Sequence, residues 1–237
     1  MPGIFKFKQF DVDQTGCAMK INTDGVLLGA LVNDDNPSNI LDIGTGTGVI
    51  ALMLAQRFIS AKIDAVEIDT LAAETAGKNF ANSAFTKRLT IYPLGFEDFF
   101  SANPGKKYDL IISNPPFYIN SLKSPQAKKE LAKHTDAAFF ERLIKSITEH
   151  LIPEGAFWII LPIDTMELVL TLSANSNLFA QEIINIRSFP HSEAHRVIVS
   201  FGFRKVSPEI TKLSIYKAEN NYSDEYKKLL QPYFIAF

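Results

Sequence analysis

The chain has 237 residues, of which 46% are apolar and 21% are charged, a balance typical of a globular protein with a large core. Its net charge of -2 provides no overall attraction to nucleic acid or to a membrane surface, so a polyanion would need a local basic patch. The single cysteine excludes an internal disulfide and a thiolate metal cluster, and the lack of an apolar run of about 20 residues predicts a cytoplasmic protein without a membrane partner.

The first 35 residues precede the alternating pattern of the rest of the chain, and we expect them to fold over the mouth of the sheet as a lid. Thr23-Asp24-Gly25 leads into an apolar run over 26–32, so Thr23 or Asp24 is predicted to cap a short helix. For Asp24 two interpretations stay open: a helix cap and a contact to a ligand.

Strand-like and helix-like patterns alternate from residue 39 to about residue 205, which predicts an α/β domain with a mostly parallel sheet and helices on both faces. A strand at 40–43 and a helix at 49–58 flank a glycine turn, Gly44-Thr45-Gly46-Thr47-Gly48. This arrangement is typical of a nucleotide-type ligand site at the carboxyl edge of a doubly wound sheet. The spacing is not that of dinucleotide enzymes, and Asp42 before the turn suits a cationic amine better than a pyrophosphate.

The second predicted strand, 61–68, ends in Glu67, which lies 19 positions beyond Gly48. An acidic residue about 20 positions after such a turn reaches ribose hydroxyls, so Glu67 is a candidate ribose ligand. Asp69 is predicted to cap the helix that follows, 71–84.

The third predicted strand, 89–92, is followed by the position from which an adenine ring would be contacted. Which residue makes this contact stays open among Phe96, Glu97 and Asp98. Because the carboxyl ends of parallel strands meet at one edge, this position faces the same cleft as the glycine turn.

The fourth predicted strand, 110–112, stops at a rigid turn, Ser113-Asn114-Pro115-Pro116-Phe117. Asn114 precedes a proline and is therefore extended, so its side chain points out from the strand end. Because Pro116 has no N–H, the carbonyl of Pro115 stays free to accept a hydrogen bond beside the Asn114 amide oxygen. With the ring of Phe117, these two acceptors fit a planar group that carries an NH2.

A planar amine of this kind is a poor nucleophile, because its lone pair is delocalised into the π-system. Accepting both N–H hydrogens on oxygens outside the ring plane favours a tetrahedral nitrogen and frees the lone pair, while an aromatic face stacks on the ring. No strong general base is needed, because the proton becomes acidic only after the new bond has formed. The alternative interpretation is structural: a strand that ends at proline, with asparagine as a turn residue.

The segment 118–134 shows neither helical nor strand periodicity. It contains one acidic residue, Glu130, and five basic residues: Lys123, Lys128, Lys129, Lys133 and His134. One interpretation is a solvated surface loop. The other is a flexible arm that grips substrate phosphates, because the segment emerges directly from the turn at Asn114. A lone histidine does not indicate a metal site, and we predict none.

The remaining elements complete the domain: predicted helices at 136–151 and 164–174, and predicted strands at 156–161, 182–188 and 196–203. The connection between the last two strands is too short for a parallel crossover, so the last strand is expected to be antiparallel. Residues 206–237 are expected to form a closing tail, with Ser223-Asp224-Glu225 capping a final helix.

Taken together, these features resemble the class I S-adenosylmethionine-dependent methyltransferases that act on planar amino groups, which have a Rossmann-like seven-stranded sheet with the last strand reversed. Four further segments are similar to the tRNA(Val) adenine N6-methyltransferases: FKQF at 7–10, CAMK at 17–20, TDGVLLG at 23–29 and YSDEY at 222–226. The resemblance covers essentially the whole chain, 1–237, as a single domain. One departure is the sequence AKH at 132–134, where the family is expected to have Ala-Arg-His.

The resemblance implies S-adenosylmethionine as the cofactor, in contact with Asp24, Asp42, Gly44, Thr45, Gly46, Gly48, Glu67, Phe96, Glu97 and Asn114. It implies that the catalytic turn, which holds the target amine and stacks on the base, consists of Asn114, Pro115, Pro116 and Phe117. The implied reaction is N6-methylation of the adenine next to the anticodon of tRNA(Val). The implied partner is tRNA, bound through Lys123, Lys128, Lys129, Lys133 and His134, with no DNA partner and a monomeric protein.

Other activities fit parts of the same pattern. Guanine N2-methylation of ribosomal RNA or N5-methylation of a protein glutamine would use the same tetrapeptide, although no separate helical domain is evident that would dock a protein partner. A nicotinamide-dependent oxidoreductase could use the glycine turn and Glu67, but it would leave the turn 114–117 unexplained. An RNA-binding module that retains the cofactor without turnover is a further alternative.

Overall fold

The structure, a computed structural model, describes residues 3–17, 19–115 and 125–237, with the backbone alone described for 125–136. Its strands are β1 (Ile4–Lys6), β2 (Asp11–Asp13), β3 (Asn39–Ile43), β4 (Lys62–Val66), β5 (Leu89–Tyr92), β6 (Tyr108–Ser113), β7 (Leu151–Pro162), β8 (Phe179–Arg187), β9 (Ala194–Gly202), β10 (Glu209–Ser214), β11 (Tyr216–Ala218) and β12 (Asn221–Tyr222). Its helices are α1 (Thr23–Leu31), α2 (Val49–Arg57), α3 (Thr70–Ala81), α4 (Phe96–Ala102), α5 (Pro125–His150), α6 (Ile163–Asn175) and α7 (Asp224–Leu230), with a 3-10 turn at Thr86–Arg88.

One sheet carries the fold, with the strand order β10-β8-β9-β7-β6-β3-β4-β5. Within it β9 runs antiparallel between β7 and β8, and the other strands are parallel to one another. The predictions of a mostly parallel sheet and of a reversed strand at 196–203 are therefore confirmed. The predicted number of seven strands is wrong, because the sheet has eight strands among the residues that the structure describes.

The additional strand, β10, comes from the segment that was expected to be only a closing tail. It pairs in parallel with β8 at the edge of the sheet. The charged residues Glu209 and Lys212 within it are typical of an edge strand, since charges at an edge hinder pairing with other chains. These charges also weaken the apolar pattern from which a strand would be predicted.

The sheet separates two layers of core, because successive strand residues point to opposite faces. Leu110 and Ile112 pack in the cluster that includes α1, α2, α3 and α7, whereas Ile111 packs in the cluster that includes α4, α5 and α6. All three side chains are fully buried. The prediction of helices on both faces of the sheet is thus confirmed.

The N-terminal segment packs along one of these layers. Phe7, Phe10 and Val12 are buried in the same cluster as α1 and α2, and Phe7 forms a β-bridge with Phe234 near the C-terminus. A Cβ at Gly29 in α1 would lie 3.1 Å from the sulfur of Met53 in α2, so the two helices approach closely. Gly25 in the first turn of α1 faces Val49, the first residue of α2, so the two helices begin together at the carboxyl edge of the sheet and run side by side.

Side chains cap three helices by accepting a hydrogen bond from the first turn. Asn22 caps α1, so the prediction that Thr23 or Asp24 is the cap is wrong; the helix already begins at Thr23. Asp69 caps α3 and Ser223 caps α7, as predicted. Each cap satisfies a backbone N–H that has no partner within its helix.

The long helix α5 begins at Pro125, well before the predicted start at 136. The prediction that 118–134 lacks helical structure is therefore wrong from Pro125 onwards. Proline is favoured in a first helical turn, and the Ala, Lys, Glu and Leu residues that follow have high helix propensity. The part of α5 before residue 136 lacks an apolar stripe, so periodicity alone could not reveal that it is helical.

Arg88, at the end of the 3-10 turn, places its guanidinium group beside the C-terminal end of α2. It donates hydrogen bonds to the carbonyls of Ala55 at 2.6 Å, Phe58 at 3.0 Å and Ala61 at 2.9 Å. The last carbonyls of a helix have no partner within it and carry partial negative charge. Arg88 therefore stabilises both the helix end and the loop that leads to β4.

We expect Arg88→Met to lower the free energy of unfolding by about 2 kcal/mol, because the carbonyls lose a charged donor. Arg88→Lys should lose less, since it keeps the charge. The measurement is chemical denaturation followed by circular dichroism, with Lys87→Met at the exposed neighbouring position as the control. Equal losses for Arg88→Met and Lys87→Met would contradict this role.

Candidate active site

Three neighbouring strands end level with one another at the carboxyl edge of the sheet. Ile43 of β3 pairs with Val66 of β4 and with Ser113 of β6, and the Ser113 hydroxyl donates to the Ile43 carbonyl at 3.0 Å. The glycine turn, Glu67 and Asn114 each directly follow one of these paired residues. The structure thus brings three predicted features together at one edge.

The glycine turn has a left-handed backbone at Gly44, Gly46 and Gly48, with φ values of 73°, 58° and 85°. A Cβ at Gly48 would lie 2.5 Å from the ring of Phe80 in α3, so both backbone and packing require glycine there. A Cβ at Gly44 or Gly46 would meet no described atom within 4 Å. This side of the turn is open, and a ligand can approach its backbone closely.

Asp42 lies beneath the glycine turn and is fully buried. Its Oδ2 accepts a hydrogen bond from the Thr45 hydroxyl at 2.6 Å, whereas its buried Oδ1 has no partner among the described residues. Burial raises the pKa of Asp42 to about 7; the hydrogen bond from Thr45 and the backbone N–H of Ala51 oppose this rise, and the nearby charge of Glu67 adds to it. A buried acceptor without a donor is costly, so a cationic or N–H group would be stabilised at Oδ1.

Glu67 joins the end of β4 to the glycine turn. One carboxylate oxygen accepts from the N–H of Gly46 at 2.8 Å, and the other accepts from the N–H of Asp69 at 2.9 Å. The carboxylate is thereby held in place, and each oxygen keeps a further lone pair for a ligand.

Ile68 is not among the predicted site residues, although it directly follows Glu67 at the same edge. Its side chain is 77% exposed, and its Cδ1 would lie 3.4 Å from a Cβ at Gly95, in the turn after β5. A large exposed apolar side chain between two strand ends offers a flat ligand a surface to pack against. The available sequence signal was an apolar residue immediately after the acid that ends the strand.

Asn114 follows β6 and lies half-buried beside the first turn of α1. A Cβ at Gly25 would lie 3.7 Å from the Asn114 Nδ2 atom, so the backbone of α1 passes close to the amide. Pro115 is buried directly after it. The first turn of α1 therefore forms one wall of the cleft at Asn114.

Arg196, at the start of β9, is a second residue that the sequence did not indicate. Its Nε donates to Oδ2 of Asp24 at 2.8 Å, and the two side chains are only 27% and 17% exposed. Asp24 thus forms an ion pair in place of the predicted cap. The two residues lie 172 positions apart, so no local pattern could reveal their contact.

Other candidate residues have different surroundings. Phe96 is 7% exposed and packs edge-to-face on Phe139 in the core, and Glu97 forms an ion pair with Arg142 at 3.0 Å. Outside the described residues lie Pro116, Phe117, Lys123 and the side chains of Lys128, Lys129, Lys133 and His134.

No group of three or more His, Cys, Asp and Glu side chains in the described parts of the chain could hold a metal ion. Over the same residues, no helix is both long and apolar enough to cross a membrane. Two clefts elsewhere have volumes of about 630 Å³, beside Arg57 and Tyr233, and about 730 Å³, beside Asp34 and Glu154. Neither is lined by the glycine turn or by Asn114.

Comparison with known proteins identifies the family. Residues 17–166 match the model of the Methyltransferase small domain. A tRNA1(Val) (adenine(37)-N6)-methyltransferase from Pedobacter heparinus is 47% identical over 237 residues, covering 100% of both chains. One of the same name from Porphyromonas gingivalis is 40% identical, covering 98% of this chain and 94% of that protein. The chain belongs to this methyltransferase family.

Family membership confirms the resemblance that the turn at Asn114 and the N-terminal segments indicated. The fold agrees: a predicted O-methyltransferase from Agrobacterium tumefaciens superposes with a TM-score of 0.70 at 19% identity, covering 89% of this chain and 96% of that chain. The sheet edge that carries the glycine turn and Asn114 therefore belongs to a methyltransferase with an α/β fold.

The pKa of Asp42 leads to a prediction about stability. A pKa of about 7 lies above the ordinary value of 3.8, so the folded state binds the proton more tightly. The stabilisation from this group is complete below pH 3.8 and is lost as the pH rises through 7. Asp42→Asn should remove this dependence, so the variant should gain stability relative to the wild type between pH 5 and pH 8.

Chemical denaturation at the two pH values measures this gain. Asp35→Asn, at an exposed position, is the control and should show no such change. A constant stability difference between Asp42→Asn and the wild type would refute the raised pKa.

The glycine turn leads to a prediction about packing. Gly48→Ala should destabilise the fold more than Gly44→Ala, because both impose a left-handed backbone on alanine but only the first also drives a methyl group into Phe80. We expect a difference of at least about 1 kcal/mol between them. Thermal denaturation without ligand measures it, and similar melting temperatures for the two variants would contradict the packing argument.

Proposed function

We propose that the chain transfers a methyl group from S-adenosylmethionine to N6 of the adenine at position 37 of a valine tRNA, next to the anticodon. The observation that carries this proposal is the pairing of β3 with β6, which sets the glycine turn beside Asn114. The choice of substrate is supported by the two relatives of this name that match nearly the full length of the chain.

The open cleft fits the cofactor. Gly44 and Gly46 leave room for close approach to the backbone, and Glu67 is held where it can accept hydrogen bonds from ribose hydroxyls. The unpartnered Oδ1 of Asp42 suits the cationic amino group of the methionine part, reached directly or through water. A cation there would also favour the charged form of the buried carboxyl group.

The other proposed cofactor residues have more limited roles. Thr45 holds Asp42 through its hydroxyl, and Gly48 supports the turn by its packing on Phe80. Because Phe96 is buried in the core, we favour Ile68 as the side chain that packs on the adenine ring.

Asn114 and Pro115 would hold the target amine. When bound, S-adenosylmethionine supplies a methyl group activated by a positively charged sulfur. The Asn114 amide oxygen and the Pro115 carbonyl accept the two N–H hydrogens of the adenine amine, which favours a tetrahedral nitrogen with a free lone pair. Asn114 and Pro115 would hold the amine in line with the methyl–sulfur bond that breaks as the new carbon–nitrogen bond forms, and the amine would then lose one proton to water. The chain would contribute by positioning the amine and by excluding water during the transfer.

The substrate base must leave its stack to reach this cleft. An unpaired base in an anticodon loop can do so at low cost. We propose that Phe117 stacks on the base and that phosphates contact the basic residues after it: Lys123, Lys128, Lys129, Lys133 and His134. A tRNA substrate places the activity in the cytoplasm. The glycine turn, Glu67 and Asn114 meet within one chain, and we propose that a monomer is active.

The direct test is to incubate the purified protein with S-adenosylmethionine and an unmodified valine tRNA transcript, and then to identify methylated nucleosides by mass spectrometry. We expect N6-methyladenosine, and none from a transcript with guanine at position 37. N2-methylguanosine would overturn the choice of base. Cofactor binding without any methylated nucleoside would overturn the catalytic proposal.

Replacing Asn114 tests its role as an acceptor. Asn114→Ala should lower kcat by at least about 100-fold, because the transition state loses one of two fixed acceptors. Affinity for S-adenosylhomocysteine, measured by calorimetry, should be retained. Asn33→Ala, at an exposed position, is the control. Undiminished turnover in Asn114→Ala would exclude this role.

A further inference from the structure

The ion pair between Asp24 and Arg196 connects distant parts of the chain at the edge that carries Asn114. Asp24 belongs to the first turn of α1, whereas Arg196 begins β9, the antiparallel strand. With 17% and 27% of their side chains exposed, both charges are largely removed from water. Arg196 also donates to the carbonyl of His195 at 3.0 Å, which fixes its guanidinium group at the start of β9. Separating the pair would leave the Asp24 carboxylate poorly solvated, so the contact resists displacement.

The register of the strands places this ion pair above the end of β6. Ser113 lies opposite Ile159 of β7, and Arg196 lies opposite Pro162 of the same strand. The step from residue 159 to residue 162 is three residues, which is about 10 Å along a strand. Arg196 thus stands beyond the carboxyl end of β6, on the side to which the chain continues through Asn114.

The ion pair lies next to the part of α1 that faces the Asn114 amide. Gly25, the residue after Asp24, is the point where the backbone of α1 approaches the Asn114 Nδ2 atom. The Asn22 cap orients the first turn of α1, but it bonds only within that segment. Val26 in the same turn packs in one core cluster with Trp158 and Ile160 of β7, and Arg196 adds a charged contact from this turn to β9.

We propose that Arg196 is a positioning residue for methyl transfer: through Asp24 it holds the first turn of α1 against Asn114, so that the amide stays aligned for the target amine. This inference rests on the proposed function. It gives Asp24 a role different from cofactor contact, since the carboxylate acts through α1.

The test uses Asp24→Asn, Arg196→Met, the double variant and Arg196→Lys in the full-length protein. We expect kcat at saturating cofactor and tRNA to fall about tenfold in each single variant, because a small misplacement of a reacting group costs about this much or more. The kcat of the double variant should be no lower than that of the less active single variant, since both substitutions break the same contact. Arg196→Lys should recover part of the rate.

Binding measurements distinguish this positioning role from a direct contact of either residue with the cofactor or with RNA. The affinity for S-adenosylhomocysteine and the KM for tRNA should both stay within about twofold of the wild type. Weaker cofactor binding in Asp24→Asn would overturn the proposal in favour of a cofactor contact. An effect confined to the KM for tRNA would overturn it in favour of an RNA contact by Arg196. Additive losses in the double variant would also overturn it.

A second readout does not depend on activity. The side-chain amide signal of Asn114 in a ¹⁵N–¹H spectrum, assigned by its loss in Asn114→Ala, should shift in Arg196→Met. It should not shift in Lys217→Met, which breaks an exposed ion pair with Asp224. An unmoved signal would overturn the positioning role. A wild-type protein that makes no methylated nucleoside would instead overturn the proposed function, whatever the spectrum shows.

Discussion

The site depends on one constraint, namely that the strands β3, β4 and β6 end opposite one another in the sheet. Parallel pairing aligns Ile43 with Val66 and Ser113, and the turns that follow these residues therefore share one edge. The glycine turn is also tied to β4, because the N–H groups of Gly44 and Thr45 both donate to the carbonyl of Val66. A shift of register by one residue would move Asn114 away from the turn and send the side chains of β6 into the opposite layers of the core.

The electrostatics of the cleft follow from this packing. A sheet edge covered by helices buries Asp42 completely, and burial raises its pKa into the neutral range. Two backbone N–H groups, of Gly46 and Asp69, hold the carboxylate of Glu67 in place at the end of β4. The same edge of the sheet thus presents one fully buried carboxyl group, that of Asp42, and one that backbone N–H groups orient, that of Glu67.

Much of the fold was predictable because its signals are local. Strand, glycine turn and helix follow within 20 residues, and the proline after Asn114 ends β6 in a way that sequence alone reveals. What escaped prediction depends on distant contacts or on weak patterns: the edge strand β10 carries charges, and the first turns of α5 lack an apolar stripe. The ion pair of Asp24 with Arg196 joins segments 172 positions apart, and only the folded sheet brings them together.

A crystal structure of the protein with S-adenosylhomocysteine would test the central claim most directly, namely that the glycine turn and Asn114 share one cofactor cleft. The account predicts ribose hydroxyls within hydrogen-bond distance of Glu67, the adenine ring against Ile68, and the sulfur beside Asn114. A ligand bound instead in the cleft beside Arg57 and Tyr233, or with its sulfur remote from Asn114, would contradict it.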